Sequence, residues 1–123
     1  MALAVVLAAT LNGCGGPKPD ENDPWTVVMA YIDAVNASDA GAIEDLVNPD
    51  YDASEEIRSR IERLGGQALH YETLQFRGTG MQDLTSVDLT LRSGKAGSTT
   101  TFTDSLPLAR SESRWYLVIG RPG

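Results

Sequence analysis

Cysteine and histidine are almost missing from this chain, with one of each among 123 residues. A single cysteine excludes an intrachain disulfide and a thiolate-rich metal site, and a single histidine removes the paired imidazoles of most zinc sites. Aromatic residues are sparse, with two tryptophans, two phenylalanines and four tyrosines, and without disulfides the core must stabilise the fold alone. Positive charge is in deficit: ten lysines and arginines face seventeen acids, a net charge of -7. That balance argues against nucleic acid as a partner and gives the protein surface no general attraction for anionic head groups. No internal repeat, heptad run, P-loop, dinucleotide glycine fingerprint or nucleophile elbow occurs. GTG at residues 78–80 lies between predicted strands and precedes no helix, so it reads as a turn. No metal and no cofactor is expected.

Charge is absent altogether from ALAVVLAATL, residues 2–11. The run has the length and character of the apolar core of a secretory signal and is too short for a membrane span, which needs roughly 20 such residues. Leu11, Asn12, Gly13 and Cys14 follow and resemble the lipobox of bacterial lipoprotein precursors. That resemblance implies cleavage between Gly13 and Cys14 and lipidation of the Cys14 thiol. Each buried methylene contributes about 0.8 kcal/mol, so two or three acyl chains anchor durably where one is marginal. GGPKPDEND, residues 15–23, has the glycines, prolines and acids of a solvated tether reaching roughly 30 Å when extended. Residues 1–13 are therefore read as a lipoprotein signal peptide, 14–23 as lipidated cysteine and tether, 24–120 as a single domain and 121–123 as a tail. The expected location is outside the cell, lipid-anchored to the outer face of the membrane.

In the domain the hydrophobic period changes once. Asp23 and Pro24 open a helix with an acceptor at the N-cap and a proline in the first turn, and Trp25, Val28, Met29, Ile32 and Val35 follow at helical spacing. NASD, residues 36–39, breaks it, and Ser38 or Asp39 can cap a short second helix carrying Ile43, Leu46 and Val47. Asp52 and Glu55 have capping-box spacing ahead of a third helix whose apolar line is Ile57, Ile61 and Leu64, with Glu56 and Arg60 four apart on its wet side. Gly65 and Gly66 end it. Beyond them the period falls to two, which predicts strands over residues 69–77, 84–93, 98–108 and 113–120, joined by GTGMQD, SGKAGS and ARSES. Helices first and an antiparallel meander after make an α+β domain: three N-terminal helices packed on a curved antiparallel sheet of about four strands.

The stretch PWTVVMAYIDAVNASDAGAIEDLV and the closing SRWYLVIG strand resemble the nuclear transport factor two-like superfamily, with its cone-shaped, cystatin-like fold. The resemblance spans residues 24–120. It implies a concave sheet and helices around a pocket, in a superfamily that holds cyclase-like and ketosteroid-isomerase-like enzymes, epoxide hydrolases and small exported lipoproteins. Function must then come from the site. Asp39 is read as a helix cap rather than a base. The Asp-Arg-Asp set expected of the epoxide hydrolases cannot be assigned.

Strand parity supplies the candidate site. If Leu74 and Phe76 face inward, His70 and Glu72 do too, although Leu69 and Tyr71 argue for the opposite face. Asp104 follows Phe102 and Leu106 inward, and Tyr31 on the first helix could meet these groups at the mouth of a cone. Trp115 in the last strand is packing or a ligand-stacking surface. The expected ligand-binding set is thus Tyr31, His70, Glu72, Asp104 and Trp115, with no catalytic residue assigned. The function expected is a non-catalytic envelope module that binds a small apolar ligand or a partner protein. Two alternatives stand beside it: an acid-base enzyme of the isomerase, cyclase or hydrolase type using a cone pocket, and a homodimeric assembly subunit using the sheet face, where the β-rich ThrThrThrPheThr at 99–103 lies.

Overall fold

The computed structural model describes residues 23–122. The signal peptide, Cys14 and all of the tether except Asp23 lie outside the described residues. Helix α1 (Pro24–Asn36) starts where the Asp-Pro step predicts, with the Asp23 carboxylate accepting from Trp25 N at 2.9 Å. Helix α2 (Ala40–Glu44) is capped by Asp39, whose Oδ1 accepts from Ala42 N at 3.0 Å. Ser38 instead takes the left-handed conformation that turns the chain between the helices, with φ 52°.

Helix α3 (Ser54–Leu64) departs from its predicted start. Asp52 does not close a capping box. It sits in β1 (Tyr51–Asp52), paired with β6 (Arg121–Pro122), and Ala53 occupies the N-cap with no side-chain hydrogen bond. The Asp52 carboxylate turns to Ser54, accepting from its N at 3.1 Å and its Oγ at 2.9 Å. These bonds, the backbone one first, hold the Asp52 carboxyl below its usual range. Arg121 and Pro122, read as tail, therefore belong to a small second sheet. Gly120 makes that sheet possible: its φ is 86°, and a Cβ there would lie 2.6 Å from Ala53 Cα.

The main sheet is an antiparallel meander, β2 (His70–Gly78), β3 (Leu84–Arg92), β4 (Thr101–Ser111) and β5 (Arg114–Leu117), in the spatial order of the sequence. The predicted ARSES connection shrinks to Glu112 and Ser113, both at positive φ (54° and 69°), which is the backbone of a two-residue primed turn. The β4–β5 ladder runs only from Ser111 to Leu108. At Pro107 the carbonyl still accepts from Val118 N, at 2.9 Å, but a proline has no N–H to return.

Val87, Leu89 and Leu91 of β3 and Leu106 and Leu108 of β4 turn to the helices and are almost wholly buried, as are Val28, Val35, Ile43 and Leu64 from above. Each such side chain contributes about 1.5–3 kcal/mol on leaving water. Eleven large side chains are less than 2% exposed, so aliphatic packing fills the layer between helices and sheet.

Candidate functional site

One polar cluster interrupts this aliphatic layer. Asp104 lies on the inward face of β4, in step with Leu106 and Leu108, and its side chain is only 5% exposed. Tyr31, fully buried on α1, donates its hydroxyl proton to Asp104 Oδ2 at 2.8 Å. Arg60 of α3, its side chain 11% exposed, donates through Nη1 to Asp104 Oδ2 at 3.0 Å, to Oδ1 at 3.1 Å and to Tyr31 Oη at 2.9 Å. Its Nε reaches back one helical turn to Glu56 Oε2 at 2.8 Å. Ser105 N adds a bond to Asp104 Oδ1 at 2.9 Å, and Arg63 Nη2 stands 4.0 Å from the same oxygen.

Burial and neighbouring charge act on two members of this group, Tyr31 and Arg60. Burial, then the neighbouring Asp104 charge, pushes the Tyr31 phenol well above its ordinary pKa. Burial works against the Arg60 charge, but Tyr31 and Asp104 outweigh it and hold the guanidinium above its usual value. The two Asp104 oxygens accept from three residues, Tyr31, Arg60 and Ser105, so the cluster is a bonded strut across three elements.

The structure brings together only part of the predicted site. Tyr31 and Asp104 meet. His70 and Glu72 do not join them. Their expected inward parity fails because β2 carries a β-bulge between Tyr71 and Thr73. Tyr71 pairs with inward-facing Leu91, and Leu74 and Phe76 pair with inward-facing Leu89 and Val87, so both halves of the strand present apolar residues inward. His70, opposite Arg92, is exposed, and Glu72 forms an ion pair with Arg92. Trp115 is buried in the core, under the guanidinium of Arg110, 5.7 Å from the ring centre.

Arg60 is the member that sequence reasoning placed wrongly, on the wet side of α3. The signal was present: Arg60 stands three residues after Ile57 and four before Leu64, on the buried stripe itself. Its spacing to Glu56 fits an exposed pair equally well, and only the carboxylate arriving from β4 separates the two.

A groove of about 470 Å³ lies between α1, α2 and Arg114 of β5. Met29, Ala30, Ala34, Ala42 and Leu46 make an apolar lining, Trp25 stands at one end, and Asp33, Asp39 and Asp45 contribute carboxylates. Arg114 donates to the Asp45 carbonyl at 3.2 Å and lies over the Tyr116 ring, 4.9 Å from its centre. The volume falls within the range of small-molecule sites, roughly 300–1,000 Å³. Among the described residues no group of three or more potential metal ligands is assembled.

No family model matches the chain, and no curated protein does. Solved structures do. A designed protein of the nuclear transport factor two-like fold, a variant of Rd1NTF2_05, superposes with a TM-score of 0.62 at 14% identity, over 85% of this chain and 100% of that one. A SEC-C motif containing protein from Psychrobacter arcticus superposes with a TM-score of 0.54 at 10% identity, over 87% of this chain. This chain spans 64% of that protein's length. The fold is thus α+β and nuclear transport factor two-like, with a four-stranded antiparallel sheet.

Proposed function

We propose that this protein is a lipid-anchored, extracytoplasmic binding module without catalytic activity, held to the membrane at Cys14 and taking a small apolar ligand in the groove between α1, α2 and β5. The groove carries the reading: a largely apolar lining and a ligand-sized volume between α1, α2 and Arg114. The buried carboxylate offers no competing acid-base site, since Tyr31, Arg60 and the Ser105 amide already use its oxygens. His70, the only imidazole, lies exposed at the first residue of β2, away from Asp104.

Two measurements test the parts separately. Mass spectrometry of membrane-extracted protein should find acylated Cys14 as the first residue, and a free Met1 would sink the anchor. The apolar fluorophore N-phenyl-1-naphthylamine should brighten on binding the mature chain and lose that enhancement in Ala30→Trp, whose indole fills the groove. Equal enhancement in both proteins would remove the groove as the site.

A further inference from the structure

We infer that the β2 edge of the sheet is a membrane-contacting surface, which seats Trp25, Tyr71 and Phe76 in the lipid interface when Cys14 is anchored; this rests on the lipid-anchored reading above. Five large hydrophobic residues are exposed among the described residues: Trp25, Tyr71, Phe76, Met81 and Leu84, from 37% for Leu84 to 62% for Met81. Three of them, Trp25, Tyr71 and Phe76, lie on the first turn of α1 and on the inward side of β2, whereas Leu84, out of step with inward-facing Val87, faces the other side of the sheet. Scattered single hydrophobics are ordinary on a protein surface, but a cluster marks an interaction site. Tyr71 and Phe76 share the inward side of the sheet with buried Leu91 and Val87, so the helix layer stops short of this edge. The Trp25 and Tyr71 rings meet edge to face, 5.8 Å apart at 88°, which joins the helix start to the strand.

Two further observations select lipid as the occupant. The first is where the chain enters. Asp23 caps α1 two residues before Trp25, and Cys14 stands nine residues before Asp23. The anchored end therefore emerges beside the aromatic patch, within a reach of roughly 30 Å. The second is charge. Residues 24–64 hold nine acids against three arginines, whereas residues 70–122 hold five acids against six bases. The net charge of -6 thus belongs to the helical half, and the strand half carries +1. Around the patch the charges are already matched, Arg77 with Asp88, Arg92 with Glu72 and Arg110 with Asp83. Tryptophan and tyrosine are the side chains that favour the head-group level.

The lipidated chain, extracted from membranes and reconstituted in phosphatidylcholine vesicles with brominated acyl chains, provides the test. Tryptophan emission should be quenched in the wild type, and the quenching should be lost in Trp25→Phe, because Trp115 is shut in the core. Tyr71→Ser/Phe76→Ser, at exposed positions, should leave co-flotation intact and cut the quenching at least about two-fold. Co-flotation without quenching overturns the inference while leaving the anchor standing. If sedimentation then shows a dimer that Tyr71→Ser/Phe76→Ser dissolves, the patch belongs to a second copy. A chain that does not float with the vesicles removes the anchor and this inference with it.

Discussion

Asp104 occupies a position where a leucine would pack, and the protein accommodates its charge with Arg60 and Tyr31 rather than with water. Such a pair is costly to break and inexpensive to replace whole, because removing one partner strands the other charge out of water. Asp104→Ala should therefore destabilise the domain by about 3–5 kcal/mol in urea unfolding. The double variant Arg60→Met/Asp104→Leu should recover most of that loss, and a double variant no more stable than Asp104→Ala would contradict the assignment. Tyr31 adds a pH signature. Its folded pKa is raised above the ordinary 10.0, so the protonated phenol's contribution is complete below pH 10.0 and declines as pH rises toward the higher folded value. Unfolding free energy should fall above pH 10, and Tyr31→Phe should flatten that fall. Alternation in β4 made the inward turn of Asp104 legible in the sequence. The partner on α3 was not, because an arginine at i+4 from a glutamate has the same spacing on a wet face as on a buried one.

At the scale of elements, the chain's departures from regular pattern are backbone events. The bulge in β2 reverses parity in mid-strand and explains why Tyr71 and Phe76 both face inward although they stand an odd five positions apart. Period-two reading treats a strand as unbroken and so places His70 and Glu72 on the wrong side of that break. The β4–β5 turn is similar: Glu112 and Ser113 both stand at positive φ with no glycine or asparagine to signal it. Glu112→Asn/Ser113→Gly supplies the residues that this conformation favours and should raise stability by about 0.5–1 kcal/mol in urea unfolding. An unchanged or lower midpoint would show that the turn is not of the primed type. Where capping chemistry was unambiguous, at Asp23, the helix start was legible to the residue, and at Ser38 or Asp39 the structure chose between two adjacent candidates. Asp52 was misread because its backbone is held extended by Arg121, about seventy residues away in sequence.

For the whole molecule the deciding features are the division of charge and the division of apolar surface. The helical half concentrates negative charge, and its surplus lies in Asp33, Asp39, Glu44, Asp45, Asp50 and Asp52, since Glu55, Glu56 and Glu62 of α3 are matched in number by Arg58, Arg60 and Arg63. Its self-repulsion is screened by salt, so the thermal midpoint should rise between low ionic strength and about 0.5 M sodium chloride, where the Debye length has contracted to a few ångströms. A falling midpoint would mean that the surface ion pairs outweigh the repulsion. Composition and periodicity by themselves determined the α+β class, the order of the three helices and the four strands of the main sheet, and the exclusion of an intrachain disulfide, because these follow from short-range preferences and from which residues are available at all. Only the tertiary structure decided that Arg60 turns inward, that residues 121–122 pair with 51–52, that a groove lies between α1, α2 and Arg114, and that the Trp25 ring meets Tyr71 beside the β2 edge. Each of these depends on which distant residues arrive at the same place, and a local pattern carries no record of that.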